Sequence, residues 1–237
     1  MQQGGCAGGI AVVIDVLRAS TTIVSALANG AERVVPVTEL EAARRLAAGA
    51  GPAALLGGER AGVRVAGFDL GNSPLEYSAA RVAGRTIVIT TTNGTAALGA
   101  ARGAREVLIG AVVNRSAVAG AIRRLGAADE TVHLVCAGTD GCVSAEDVLA
   151  AGAILDAAGA DSAGDTLDAS ARDALALFRR VAASGEVSAA LVAAFRGSPG
   201  GANLMVLGME ADLPAAAAID SVDIVPRLDA TTGSLRA

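Results

Sequence analysis

Lysine is missing from this chain: all 19 basic residues are arginine. That excludes a Schiff-base lysine and the lysine of a P-loop. It leaves arginine as the strong cation for an anion, with a planar fork that suits bidentate phosphate or sulfonate contacts. Tryptophan is also absent, and three phenylalanines and one tyrosine are the whole aromatic content. The core must then come from Val, Ile, Leu and Ala, which pack well on helices and sheets. The only histidine, His133, lies inside an apolar run and reads as a packed strand residue. One histidine argues against a multi-histidine metal site and against a Ser-His-Asp triad. Any metal should be held by oxygen, which favours Mg²⁺. Cys6, Cys136 and Cys142 form no disulfide framework and have no zinc spacing. No uninterrupted run of about 18 apolar residues occurs, so no membrane span is expected. The start, MQQGGCAGG, lacks a basic n-region, and the expected location is the cytoplasm. The formal charge is −5, with acids and arginines interspersed, and no basic face or aromatic–basic cluster suggests nucleic acid.

What is present alternates between strand and helix. Ile10–Ile14 is an apolar run that delivers one carboxylate, Asp15; Arg18 follows, then Ser20, Thr21 and Thr22, and then a helical apolar pattern ending near Asn29-Gly30. This reads as buried strand, sharp turn, helix. Ligands of open α/β sheets bind outside the carboxyl ends of strands, so Asp15 stands where a metal or reacting group would sit, or else it caps the helix. Residues 33–37 form the next strand, and Thr38 with Glu41 reads as a capping box. Residues 53–57 form a third strand, ending in Gly58-Glu59-Arg60, a second acid with an arginine beside it. Residues 61–77 read as an irregular loop dense in polar groups: Asp69, Asn72, Ser73 and Glu76, anchored by Phe68. After the strand at 86–89, the run Thr90–Thr95 with Asn93-Gly94 precedes a helical pattern. A Gly-bearing turn at a helix N-terminus offers free N–H groups and is a ready anion site.

A fifth strand at 106–111, a helix at 114–125 and a sixth strand at 131–136 follow. The last ends in AGTDGCVSAEDV, with Ser144 as N-cap and Glu146 and Asp147 in an acidic first turn. Asp140, Glu146 and Asp147 there make either a dipole-stabilised first turn or a second carboxylate cluster at the edge that carries Asp15. From about residue 156 the texture turns to core-facing helices, with stripes at Leu175, Phe178, Val181 and Ala182 and at Leu191, Val192 and Phe195, and a break at Ser198–Gly201. Short helices at 203–207 and 213–219, a final strand at 222–225 and a frayed tail after Arg227 complete the expectation. A single domain over 1–237 is expected, with a subdivision, if any, near 156–165. Two motifs fail: position 142, six after Cys136, is Cys and not the Arg of a cysteine phosphatase, and Leu17 stands where a haloacid-dehalogenase pattern needs a second Asp. No Gly-x-Gly-x-x-Gly follows a strand.

Four blocks, IDVLRASTTIVSALANGA, GERAGVRVAGFDLGNSP, TTTNGTAAL and CAGTDGCVSAEDVLAAG, stand in this order between about residues 10 and 226. Together they closely resemble the 2-phosphosulfolactate phosphatase family of coenzyme M biosynthesis. The resemblance implies a Mg²⁺-dependent phosphomonoester hydrolase that converts 2-phospho-3-sulfolactate to sulfolactate. It also implies an α/β architecture of its own, with a mixed or mostly parallel sheet flanked by helices rather than a standard Rossmann fold, and a homodimer. Carried over by position, Asp15, Arg18, Glu59 and Asp69 are the candidate catalytic residues. Asn72, Ser73, Thr92, Asn93, Gly94, Thr95, Gly138 and Arg60 are the candidate substrate contacts, with Arg60 or Arg64 on the sulfonate. Asp15, Glu146 and Asp147 are the candidate Mg²⁺ ligands. The nucleophile is water activated by the metal, or Asp15 itself. The match is weakest near residue 200, where the family often has a His-Gly-Arg-like stretch and this chain has Gly200, Gly201 and Ala202. Two other functions fit the residues: the same hydrolysis on another phosphorylated hydroxy acid, or non-catalytic binding of an anionic metabolite.

Overall fold

The computed structural model describes residues 6–127, 130–160 and 166–237. β1 (Ile10–Ile14) leads to α1 (Ala19–Ala28), β2 (Arg33–Pro36) and α2 (Leu40–Ala50). β3 (Ala54–Arg60) folds back on β4 (Val63–Arg64), and a 3-10 turn at Pro74–Glu76 precedes α3 (Ala79–Val82). β5 (Thr86–Thr90), α4 (Gly94–Ala101), β6 (Glu106–Gly110), α5 (Arg115–Leu125), β7 (Val132–Cys136) and α6 (Ala145–Ala158) continue the alternation. Four helices follow: α7 (Ala169–Ala182), α8 (Val187–Arg196), α9 (Pro199–Val206) and α10 (Asp212–Ala216). β8 (Arg227–Leu228) and β9 (Leu235–Arg236) come last. The subdivision expected near 156–165 falls partly on residues 161–165, which lie outside the described residues.

The nine strands make one mixed sheet in the order β4-β3-β5-β2-β9-β8-β6-β1-β7. This is an α/β fold, and the order is not that of a doubly wound dinucleotide-binding sheet. β3, β5 and β2 are parallel to one another, as are β6, β1 and β7. Each step across β2-β9-β8-β6 is antiparallel, so the two parallel halves run in opposite directions. Parallel strands need both faces covered. β1 meets that need by alternation: Ile10, Val12 and Ile14 pack with Val118, Ile154, Phe178 and Leu191, while Ala11 and Val13 pack with Ile23, Leu98 and Ile87 on the other side. A smaller cluster under α2 holds Phe68 against Val88.

Three expectations fail, each for a physical reason. The tail after Arg227 is not frayed. Its two short strands occupy the centre of the sheet, because β2 and β6 each leave an edge open, and Leu235 is wholly buried there. The hairpin turn is closed by Asp229, whose carboxylate accepts N–H from Thr231 and Thr232 and is thereby held below its ordinary pKa. Residues 222–225 are not a strand, since the Leu108 ladder position is taken by Arg227. They are held instead by Val222 N–H to the Val113 carbonyl and by Asn114 Nδ2 to the Ile224 carbonyl. The Thr38–Glu41 capping box is also absent. The helix starts at Leu40, the Thr38 carbonyl accepts from Arg60 and Thr90, and Glu41 pairs with Arg44. Ser198–Gly201 ends α8 and also opens α9: Ser198 accepts from Gly201 N–H, and Pro199 occupies the first helical position.

Because the hairpin joins the two halves, its one fully buried side chain should matter as much as a core residue. Leu235→Ala is expected to cost about 2–5 kcal/mol, measured by urea unfolding. A loss under about 0.5 kcal/mol, the range of ordinary surface changes, would contradict this placement.

Candidate functional site

The carboxyl ends of the opposed halves meet at one place. Gly94, which follows β5, lies so close to Asp15, which follows β1, that a Cβ on the glycine would stand 2.7 Å from Asp15 Oδ2 and 2.5 Å from the Ala19 side chain. Strand twist makes the meeting possible: at roughly 20–25° per strand it turns β1 through about 100° or more relative to β5. Asp15 is 8% exposed. Its Oδ1 accepts the first N–H of α1, from Ala19 at 3.2 Å, so it does cap the helix. Its backbone is pinned by Ser20, whose Oγ accepts the Asp15 N–H at 2.9 Å. Oδ2 accepts no hydrogen bond among the described residues.

Four buried acids surround this point, and their bonding divides them in two. Glu59 gives both oxygens to backbone N–H groups: Thr92 at 2.8 Å, in the turn after β5, and Gly62 at 2.7 Å, in the turn between β3 and β4. Asp147 does the same, with Val16 at 2.9 Å after β1 and Gly138 at 3.0 Å after β7. These two tie strand-end loops together. Asp15 and Glu146 each keep an oxygen free. Glu146 is 1% exposed, and its Oε2 is a buried oxygen with no partner among the described residues. Burial is the main cause that pushes the Asp15 pKa up to about 7; the negative charges of Glu59 and Glu146 add to it, and the Ala19 N–H and Arg18 oppose it. Asp147 is raised as well, first by burial and then by Asp15. Burial and Asp147 together push the Cys136 thiol up to about 12, which leaves it protonated and unsuited to nucleophilic work.

The remaining sequence candidates are placed as follows. Arg18 is buried and ion-paired: Nη1 meets Asp212 at 2.8 Å and Met209 Sδ at 2.8 Å, and Nη2 donates to the Gly62 carbonyl at 2.7 Å. Arg60 is tied to the Thr90 hydroxyl and to the Thr38 and Glu59 carbonyls. Arg64 stands opposite Glu59 in the β3–β4 register, half exposed, with only a long 3.9 Å approach to Glu76. Asp69 is exposed and accepts the Leu56 N–H at 2.8 Å, which attaches its loop to β3. The Asn72 carbonyl accepts from Thr22, and its buried Oδ1 has no partner among the described residues. Ser73 donates to Asp212. Asn93 precedes α4 without a side-chain cap, and Thr95 bonds back to Thr91 through both N–H and hydroxyl. The Gly94 and Ala96 N–H groups in that first turn have no partner among the described residues. Gly138 holds φ +69 and feeds its N–H to Asp147. Asp140 is exposed, at φ +51 in the adjoining turn, and does not join the buried acids.

Sequence reading missed Asp212. It is 2% exposed at the start of α10, well over a hundred residues from the partners it holds. The only signal was a lone acid leading an apolar helix, which ordinarily means a dipole-stabilised first turn.

Among the described residues no group of three or more His, Cys, Asp or Glu side chains is disposed to hold a metal alone. Mg²⁺ does not require one, since it takes one or two carboxylates and completes its shell with water and substrate phosphate. The two free carboxylate oxygens, one of them orphaned in a buried site, fit that pattern. A family model for 2-phosphosulpholactate phosphatase matches residues 2–231. Two proteins named "Probable 2-phosphosulfolactate phosphatase", from Deinococcus radiodurans and Symbiobacterium thermophilum, are 44% and 45% identical over 233 and 224 residues. The alignments cover 96% and 93% of this chain and 92% and 91% of those relatives. The chain belongs to the 2-phosphosulfolactate phosphatase family. It is therefore a phosphatase, and no helix among its described residues is long and apolar enough to cross a membrane.

The crowding of acids at this point has a thermodynamic consequence. With Asp15 held at about 7 against an ordinary 3.8, the metal-free folded protein keeps a proton that the unfolded chain has lost between those values. Stability should fall as pH rises through that window. Asp15→Asn should therefore raise the melting temperature of chelator-treated protein at pH 8 and leave it nearly unchanged at pH 4. Equal melting temperatures at pH 8 would contradict the electrostatic reading.

Proposed function

We propose that this chain hydrolyses 2-phospho-3-sulfolactate to sulfolactate and phosphate with Mg²⁺ in the site. The observation that carries the proposal is the juxtaposition of two buried carboxylates, each with a free oxygen, and an uncapped helix N-terminus at Gly94. Asp15 and Glu146 would be the direct Mg²⁺ ligands. Asp147 would stand behind them, its oxygens already given to Val16 and Gly138. When bound, Mg²⁺ supplies positive charge against the nonbridging phosphate oxygens.

The protein's own groups do the rest. The first turn of α4 offers backbone N–H groups and the positive end of its dipole to the phosphate. Arg18 adds a fixed positive charge: three of its N–H groups are engaged by Asp212, Met209 and Gly62, and two remain. Glu59 keeps the Thr92 turn in place for this contact. For the second anionic group we favour Arg64 over Arg60, because Arg60 already serves three backbone carbonyls and a hydroxyl while Arg64 is exposed on the face that carries Glu59. An exposed arginine accepts sulfonate or carboxylate alike, so a sulfur-free phosphorylated hydroxy acid is the second reading, and assaying both substrates side by side separates them. Water is the proposed nucleophile, with Asp15 the alternative; a trapped phosphoryl-Asp15 would assign the attack to the protein. A homodimer is proposed as well, since β7 ends the sheet with one edge unpaired; sedimentation velocity checks it.

Phosphate release from 2-phospho-3-sulfolactate should require Mg²⁺ and stop with a chelator. Asp15→Asn and Glu146→Gln should each lower kcat by about a hundred- to a thousandfold while the fold is kept, a size typical of groups that act on the transition state. Undiminished release by either variant would remove that residue from the site. Metal-independent release by the wild type would overturn the Mg²⁺ assignment.

A further inference from the structure

One carboxylate, Asp212, holds two parts of the site that lie far apart in sequence. Its Oδ2 accepts from Arg18 Nη1 at 2.8 Å, and its Oδ1 accepts from Ser73 Oγ at 2.5 Å. Both charged side chains of the pair are 3% exposed. Ser73 adjoins Asn72, whose carbonyl is fixed to α1 by Thr22 and whose buried Oδ1 has no partner among the described residues. Arg18 in turn lies close enough to Asp15 to lower its pKa. An amide left unsatisfied in a buried place is costly unless something binds there. A guanidinium held at its outer end by a carboxylate and a carbonyl keeps its remaining donors in one orientation.

We propose that Asp212 is a positioning residue for substrate recognition. It fixes Arg18 and the Asn72–Ser73 turn to each other as one clamp beside the phosphoryl group, with the remaining Arg18 N–H groups as its donors. The proposal rests on the phosphatase site described above. Asp212 touches no substrate. Its role is to orient Arg18 while it draws in the Asn72–Ser73 turn, so that an arriving anion meets the remaining Arg18 donors already in place and does not have to order them.

The test uses inorganic phosphate as the probe, because it is the product whatever the rest of the substrate is. Phosphate binding by calorimetry and kcat and KM for 2-phospho-3-sulfolactate would be measured for the wild type, Asp212→Asn and Ser73→Ala, with melting curves alongside. Asp212→Asn should weaken phosphate binding and raise KM by about tenfold or more, the range of one charge-assisted hydrogen bond, and Ser73→Ala by about threefold, since it acts at one remove from the anion. In both, phosphate affinity and KM are the deciding readouts. A merely structural role would lower the melting temperature and the active fraction and leave KM and phosphate affinity as they were; that result would overturn the proposal. Should Asp212→Asn fail to fold, Ser73→Ala decides alone: threefold weaker phosphate binding supports the clamp, and unchanged binding overturns it. A wild type that binds phosphate but does not turn over 2-phospho-3-sulfolactate would overturn the substrate reading, while the response of phosphate affinity to the variants would still decide the clamp.

Discussion

The structure depends on a hairpin of two-residue strands set between two parallel half-sheets that run in opposite directions. Parallel halves of opposite sense cannot pair with each other as parallel strands. β8 and β9 supply the antiparallel steps that join them, and Leu235 fills the seam. The join brings together two sets of carboxyl ends, where a conventional parallel sheet has one, and Asp15 and the Gly94 turn face each other across them. The last residues of the chain thus assemble a site to which they contribute no side chain.

At that meeting point the protein concentrates like charge out of water. Burial and neighbouring acids raise the pKa values of Asp15 and Asp147, Glu59 and Asp147 are held by backbone N–H groups, and the orphaned Glu146 oxygen is costly among the described residues. Glu59 and Asp147 show how the arrangement persists: each accepts two N–H groups from two different loops, so removing either would release backbone as well as charge. Stability is given up locally and recovered in the two apolar layers that β1 separates.

Much of this was legible because it is local. An apolar run of five residues, an acid, and then a helical pattern identify β1, Asp15 and α1 with no tertiary knowledge, and the strand–turn–helix at Thr90–Thr95 is readable in the same way. The β3–β4 return was obscured, since glycines and a two-residue strand leave no periodicity. The tail was misread because each of its strands is two residues long, too short for any alternation to register. Asp69 and Asp147 illustrate the limit for side chains: both are acids in polar stretches that follow a strand, yet one lies exposed on the Leu56 N–H and the other is buried between two loops.

The sequence by itself determined the α/β alternation, the absence of lysine chemistry, and the four blocks that place the chain in its family. These are properties of residue type, order and short-range spacing, and they survive in an unfolded string. Only the tertiary structure decided which acids keep a free oxygen, that Arg18 is held by Asp212, and that the final hairpin lies at the centre of the sheet. Each of those depends on contacts between segments tens to hundreds of residues apart, where spacing along the chain carries no information about which groups will meet.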